Sequence, residues 1–216
     1  MIVEYKYTSD HDRNTDRLKN ELLNSKSILD IGANINSFYE TDFLINKVRS
    51  ATVDLFDIPE SKLHFKGNIS LASVWMNILS YVQKNGKFDY CYISHTLEDI
   101  SNPKLVCNMM GMVAKKGFIA VPSKYTECKR HNEKYRGYIH HRWIYNIENK
   151  VLKGYPKQNF LEYENHLDEI ANKHNKNNAE LQIFWEDDVD LKIVNDDFLG
   201  PSVDAVIGYY KNLHIN

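Results

Sequence analysis

Strand-like apolar runs alternate with helix-like periodic segments through the first part of the chain. The runs that predict strands are 27–31, 51–55, 63–66, 88–93 and 118–121. Helices are predicted at about 10–24, 37–47, 70–84 and 101–116. This alternation predicts a parallel sheet with helices on both faces, because each right-handed crossover buries its strand on two sides.

The pattern fails after residue 123. Residues 124–180 are rich in Tyr, His, Asn and charged side chains, and one helix is predicted there, at about 163–174. We interpret this stretch as an inserted, lid-like segment that binds the substrate. Strands resume at 181–185 and 203–210, which predicts a closing antiparallel hairpin. The expected fold is therefore α/β: one domain, 1–216, with a doubly wound, mostly parallel, seven-stranded Rossmann-like sheet, a C-terminal hairpin and the insertion.

Composition narrows the class of protein. With 216 residues, 43% hydrophobic and 26% charged, the chain is typical of a single globular domain. We expect no membrane span, because no apolar run approaches 18 residues, and no signal peptide, because the start lacks a basic region followed by an apolar one. Three cysteines without CxxC spacing are typical of a reducing compartment, so a cytoplasmic location and no structural zinc are expected.

Charge is unevenly distributed along the chain. The net charge of −2 argues against a nucleic-acid partner. Residues 115–157 nevertheless carry 11 Lys and Arg against 3 Asp and Glu, whereas 158–204 carry 3 against 12. The basic stretch would suit an anionic small molecule. Alternatively, the basic and acidic stretches simply face each other within the fold.

The stretch 27–38, SILDIGANINSF, organises the rest of the chain. Its apolar run ends in Asp30 and breaks at Gly32 into small and amide residues that tolerate a positive φ. A strand that turns sharply into a helix presents free backbone N–H groups, and this edge of an open α/β sheet is where nucleotides bind. A core strand followed by an ordinary turn would explain the same pattern.

Four motifs occur in order along the chain: DIGAN at 30–34, an aspartate at 54, FDYCYISHTLEDI at 88–100, and KGFIAVPS at 116–123. Together they resemble class I S-adenosylmethionine-dependent methyltransferases, over about residues 25–123. The resemblance implies a Rossmann-like fold, S-adenosylmethionine as cofactor and a small-molecule methyl acceptor, with neither nucleic acid nor membrane as partner. The oligomeric state is left open.

The resemblance also implies which residues bind the cofactor. From the methionine end to the adenine they are Asp30, Gly32, Asn34, Asp54 and Asn68, with Ser94 and His95 closing the pocket. A carboxylate at position 54 suits this role because it accepts hydrogen bonds from two ribose hydroxyls. Asn34 and Asn36 stand where the family usually has glycines, and Asn68 stands where it often has an acid.

The insertion contains one concentration of reactive side chains, YIHHRW at 138–143. His140 and His141 are the candidate catalytic residues, because methyl transfer to a hydroxyl needs a base for its proton. Arg136, Arg142 and Trp143 are candidates for binding the substrate, the arginines through a phosphate or carboxylate. A metal site of His131, His140 and His141 is disfavoured, since adjacent histidines rarely reach one ion and no carboxylate has helical spacing. A packed surface cluster without a catalytic role is the remaining interpretation.

These features predict a methyltransferase that acts on an oxygen or nitrogen of a small polar acceptor, anionic or sugar-like. An inactive binding or scaffold protein on the same fold is the main alternative, supported by the asparagines in the turn. A nicotinamide-dependent oxidoreductase is disfavoured, because the chain has no further glycine between Gly32 and Gly67.

Overall fold

The computed structural model describes residues 1–12, 15–33, 44, 45, 47–59, 61–131 and 134–194. In chain order its elements are β1 (Ile2–Thr8), α1 (Asp16–Asn24), β2 (Ile28–Ile31), β3 (Ala51–Asp54), β4 (His64–Lys66), α2 (Ala72–Asn85), β5 (Tyr90–Ser94), α3 (Pro103–Val113), β6 (Lys116–Pro122) and α4 (Lys124–Cys128). They continue with β7 (Arg130–His131), β8 (Tyr135–Arg136), β9 (Trp143–Glu148), β10 (Val151–Pro156), a 3₁₀ helix (Asn159–Tyr163), α5 (His166–Ala171), β11 (Glu180–Glu186) and β12 (Leu191–Ile193).

The main sheet has seven strands in the order β4-β3-β2-β5-β6-β11-β1. The strands from β4 to β6 are mutually parallel, β11 is antiparallel to β6, and β1 is antiparallel to β11. The predicted mostly parallel, Rossmann-like sheet is confirmed. The last strand of the predicted hairpin, 203–210, lies outside the described residues. The position next to β11 is occupied by β1, a strand that the sequence pattern did not predict.

Local signals explain where the helices begin. The Thr15 side chain accepts a hydrogen bond from the Leu18 amide and caps α1, and Asn102 caps α3 in the same way ahead of Pro103. No side chain caps α2 in this way. That helix begins at Ala72 with Leu71 in the cap position and no side-chain hydrogen bond there.

Hydrophobic side chains cover both faces of the sheet. On one face Trp75 and Ile78 of α2 and Met110 of α3 pack against the strands, and on the other Leu18 and Leu22 of α1 do so. Each fully buried side chain of this size stabilises the fold by roughly 1.5–3 kcal/mol. Helices on both faces confirm the doubly wound arrangement.

The described part of residues 124–180, the predicted insertion, contains helices and strands of its own. It contains the two-stranded sheet β7-β8, and its strands β9 and β10 form a three-stranded sheet with β12. Cys128, Ile144 and Leu167 form a separate small core. The predicted helix at 163–174 is shorter than expected, since α5 spans His166–Ala171 and a 3₁₀ helix precedes it.

The cysteines are buried and unpaired. Burial raises the pKa of the Cys107 thiol to about 12 and that of Cys128 to about 11, and it raises the pKa of Cys91 as well. These thiols are therefore protonated near neutral pH and do not serve as nucleophiles. In the described part of the chain, no helix combines the length and the apolar character that a membrane crossing requires.

Candidate functional site

The turn after β2 brings backbone close to the loop after β5. Gly32 has a φ of +69°, and its amide donates to the Val53 carbonyl at 2.9 Å. A Cβ at this position would lie only 2.2 Å from the Thr96 hydroxyl oxygen. Both the backbone conformation and the contact therefore require glycine here.

Asp30 precedes this turn and is almost fully buried. One carboxylate oxygen lies 3.2 Å from a guanidinium nitrogen of Arg49, and both side chains are 5% exposed. A buried carboxylate needs such a partner to offset its loss of hydration. The Asp30 carboxylate is therefore held in an ion pair next to the turn. Its expected contact with the methionine end of the cofactor stays a prediction.

Asp54 lies at the carboxyl end of β3, where the resemblance implies a ribose contact. One of its oxygens accepts the Phe56 amide at 2.9 Å, and among the described residues the other accepts no hydrogen bond. Leu55 and Phe56, which follow it, are 57% and 75% exposed. A carboxylate with a vacant acceptor beside exposed apolar side chains suits a nucleoside, which combines ribose hydroxyls with a flat base.

The two asparagines implied in the pocket differ in what the structure says of them. Asn34 lies outside the described residues. Asn68 is exposed, and its side-chain oxygen accepts the Ser70 amide at 2.9 Å in an Asx turn. Its predicted place beside the adenine stays a prediction.

His95, which follows Ser94 at the end of β5, is held between two carboxylates. Its Nε2 lies 2.7 Å from Glu180, its Nδ1 forms an ion pair with Glu98 at 3.2 Å, and its ring stacks on His11. Burial alone would lower the pKa of His95, but the bonds to Glu180 and Glu98 prevail and raise it to about 10. His95 is therefore an imidazolium near neutral pH, in a left-handed backbone conformation with a φ of +48°.

His141 forms a dyad with a buried glutamate. Its Nδ1 lies 2.6 Å from Glu127, which is 1% exposed, and Lys157 donates to the other Glu127 oxygen at 2.8 Å. The Nε2 of His141 points toward Asp99 at 3.8 Å, and the Nε2 of exposed His140 lies 3.9 Å from the same carboxylate oxygen. Glu127 fixes the orientation of His141, so a neutral imidazole donates from Nδ1 and keeps its lone pair on Nε2.

The loop 95–100 joins the glycine turn to the histidine pair. Thr96 of this loop lies against Gly32, and Asp99 faces His140 and His141. The Ile100 carbonyl also accepts the Trp143 indole N–H at 2.7 Å. The candidate cofactor and catalytic residues therefore lie on one side of the molecule, at the carboxyl ends of the parallel strands.

Arg136 has a structural position. It is 2% exposed, and its guanidinium nitrogens donate to the carbonyls of Cys128, Leu161 and Glu164 and to the Asp168 carboxylate. These bonds hold the insertion together. Each guanidinium nitrogen already donates a hydrogen bond, so the expected role of Arg136 in substrate binding is not supported. Arg142 is exposed next to the histidines and Trp143 is half-buried, and their substrate roles stay predictions.

Sequence reasoning missed the buried acids of this site. Glu98, Glu127 and Glu180 are single acidic residues, in no pattern that distinguishes them from solvated ones. Asp99 belongs to the motif at 88–100 but was not among the site residues inferred from it. The side chain of His131, from the disfavoured metal set, lies outside what the structure describes.

No family model and no curated protein matches the chain. Solved structures do match. A SAM-dependent methyltransferase from Archaeoglobus fulgidus is 13% identical over 79% of this chain and 90% of that one, with a TM-score of 0.40. The methyltransferase domain of bacterial CtHen1-C is 9% identical over 77% and 92%, with a TM-score of 0.40. The N-terminal domain of EvdMO1 with SAH bound is 10% identical over 78% and 76%, with a TM-score of 0.37.

Sequence identities and TM-scores this low do not show that two proteins share an activity. The architecture stands on this chain's own sheet: parallel strands with helices on both faces, one antiparallel strand, and a glycine turn after the central strand β2. By these features the chain has a doubly wound, Rossmann-like α/β fold.

Proposed function

We propose that this protein is an S-adenosylmethionine-dependent methyltransferase that acts on an oxygen or nitrogen of a small polar acceptor. The observation that carries the proposal is the loop 95–100. It contacts the glycine turn through Thr96 and the histidine pair through Asp99. It therefore connects the sheet edge that would bind the nucleoside to the candidate catalytic groups. Ligands of open α/β sheets bind at this edge.

The residues present fit the cofactor in two ways. Gly32 lets the main chain approach an amino-acid moiety without a side chain in between, and Asp54 offers a carboxylate oxygen to ribose hydroxyls. When bound, S-adenosylmethionine supplies a methyl group on a positively charged sulfur. His95 is itself cationic, but its charge is matched by Glu98 and Glu180, so the pocket next to it does not carry a net repulsive charge.

The dyad of Glu127 and His141 is suited to activating the acceptor. A hydroxyl or amine must lose a proton as it is methylated, and Nε2 of His141 presents a lone pair for this purpose. Glu127 holds the ring by its other nitrogen, at 2.6 Å, and this contact also favours any positive charge the ring acquires. His140 and Asp99 border the same position and would orient the acceptor.

The surroundings favour an acceptor with a negative charge or several hydroxyls. Arg142 is exposed beside the histidines, and Ile139, 76% exposed, adds an apolar contact. Trp143 is fixed by its bond to Ile100 and offers part of a flat wall. An anionic or sugar-like acceptor matches a cation next to an aromatic wall.

Calorimetric titration with S-adenosylmethionine tests the cofactor. Asp54→Ala should weaken binding by roughly 1–3 kcal/mol, because the ribose hydroxyls lose a charged acceptor. Asp57→Ala is the matched control, since Asp57 is an exposed acid of the same loop whose partner is Lys66, and it should bind as the unmodified protein does. Binding of NAD instead would contradict the proposal, and binding of neither would favour the scaffold alternative.

Release of S-adenosylhomocysteine with a panel of sugar and carboxylate acceptors tests catalysis. His141→Ala should lower turnover strongly, while its affinity for S-adenosylmethionine stays unchanged and shows that the variant is folded. Full activity in this variant would remove the histidine pair from the mechanism.

A further inference from the structure

Three side chains place possible metal-ligand atoms close together beside the proposed active site. These atoms are an Asp99 carboxylate oxygen and the Nε2 atoms of His140 and His141, which all lie within 4.8 Å of one another. Both histidine nitrogens approach the same Asp99 oxygen, at 3.9 and 3.8 Å. Two imidazoles and one carboxylate are a common ligand set for transition metals.

Glu127 supplies a second and independent observation. Histidines that bind a metal through one nitrogen usually donate the other N–H to a carboxylate or carbonyl, which fixes the ring and its tautomer. The contact of 2.6 Å between Nδ1 of His141 and buried Glu127 has this form. Lys157, 2.8 Å away, balances the glutamate charge, so Glu127 is satisfied without a metal of its own.

A comparison with His95 shows that a cluster of possible ligands does not always leave a ring nitrogen for an ion. His95, with His11, Asp10 and Glu180, also forms a compact group of possible ligands. Both ring nitrogens of His95 meet carboxylates, at 2.7 and 3.2 Å, so neither is left for an ion. In His141 only Nδ1 meets a carboxylate at hydrogen-bond distance, and Nε2 remains available.

The spacing needs only a small adjustment to hold an ion. With metal–ligand bonds of about 2.1 Å, ligand atoms in tetrahedral or octahedral sites are roughly 3.0–3.4 Å apart. The observed 3.8 and 3.9 Å exceed this range by about 0.4 to 0.9 Å. Asp99 and His140 are 43% and 64% exposed, so both can rotate inward while His141 stays fixed.

We propose that Asp99, His140 and His141 form a binding site for a divalent transition-metal ion, which holds the methyl acceptor through two adjacent oxygens. Three protein ligands leave positions open, and the exposed side of the cluster faces solvent. A vicinal diol or a hydroxy acid would fill two of these positions. The acceptor part rests on the proposed function, whereas the metal site itself does not.

This inference revises the role of His141. With an ion bound, Nε2 is a ligand, and the ion promotes ionisation of the acceptor hydroxyl by lowering its pKa. The proton then passes to solvent through the exposed side of the site. The sequence disfavoured a metal because adjacent histidines rarely reach one ion and no carboxylate lay at helical spacing from them. The missing carboxylate comes from Asp99, in a different loop.

Calorimetric titration of the chelator-treated full chain with Zn²⁺, Mn²⁺ and Mg²⁺ tests the site, without S-adenosylmethionine. We expect saturable binding of one Zn²⁺ or Mn²⁺ per chain and much weaker binding of Mg²⁺, which prefers oxygen ligands. Asp99→Asn and His140→Ala, both at exposed positions, should weaken binding more than tenfold, and Glu127→Gln should weaken it by roughly 10–100-fold. His166→Ala is the control, because His166 is an exposed histidine next to Glu164 in the same insertion.

The visible spectrum of the Co²⁺-loaded protein provides a direct readout of the ligands, and it should change in Asp99→Asn but not in His166→Ala. Equal Zn²⁺ affinity in all these variants, or no saturable binding of any ion, would overturn the proposal. Metal binding without S-adenosylmethionine binding would support the site and refute the proposed function. S-adenosylmethionine binding without metal binding would support the proposed function and refute the metal site.

Discussion

The contact between Gly32 and Thr96 predicts the effect of one added methyl group. Gly32→Ala places a Cβ 2.2 Å from the Thr96 hydroxyl oxygen and 2.7 Å from its methyl carbon. Neither separation is possible between real atoms, so the turn after β2 or the loop after β5 must move. The two segments that move are those that form the proposed cofactor edge.

The cost has two parts. An L-residue held at a φ of +69° costs about 1–2 kcal/mol relative to glycine. Forcing a methyl group into a filled site adds about 1–3 kcal/mol. The free energy of unfolding should therefore fall by about 2–5 kcal/mol, a large part of the 5–15 kcal/mol that is typical of a domain.

A double-mutant cycle in urea separates the two parts. Thr96→Ala removes the hydroxyl and the methyl group and leaves only a Cβ at 3.0 Å, so it should recover at least about 1 kcal/mol in the Gly32→Ala background. Gly86 is the matched control. It has a φ of +83° with open space around its Cβ position, at the opposite end of β5, so Gly86→Ala and Thr96→Ala should be additive. Additivity for Gly32 and Thr96 as well would refute the close approach.

Two further predictions concern the charged side chains of His95 and Arg136. The pKa of His95 rises from 6.5 to about 10 on folding, so its stabilising contribution is complete below about pH 6.5 and is lost as the pH rises toward 10. Urea unfolding at pH 6.5, 8 and 9.5 should show this decline, and His95→Gln should show less of it. Arg136→Lys should lower the free energy of unfolding by about 2 kcal/mol, because one ammonium group cannot reach all three carbonyls that the guanidinium bonds, and each lost bond is worth roughly 1 kcal/mol. Arg142→Lys, at an exposed position, should change the same measurement by less than about 0.5 kcal/mol.

Most of the parallel sheet could be predicted from the sequence because its signals are local. The strands β2, β5 and β6 are mainly apolar runs, and the helices α2 and α3 carry periodic apolar side chains. The start of α3 is also recognisable, from Asn102 with Pro103. β1 was missed because its sequence, IVEYKYT, mixes apolar and charged residues, as edge strands do. Only its pairing with β11 makes it a strand, and no local pattern reveals a partner so distant in the chain.

The sequence singles out the candidate reactive residues of the site but not the residues that contact them. The residues Gly32, Asp54 and His141 stand out because of a turn, a strand end and a histidine pair. Glu127 and Asp99 acquire meaning only when folding brings them to His141. Arg136 illustrates the opposite error, since a cation in a basic segment suggested a ligand, whereas burial directs its donors to carbonyls.

The pairing of β1 with β11 has a consequence for biosynthesis. The two strands pair residues more than 170 positions apart, so β1 leaves the ribosome long before β11, its neighbour in the described part of the sheet, exists. During that interval its backbone groups are satisfied by water or by a chaperone. Closure of so long a loop is slow, which makes docking of β1 a late event in folding.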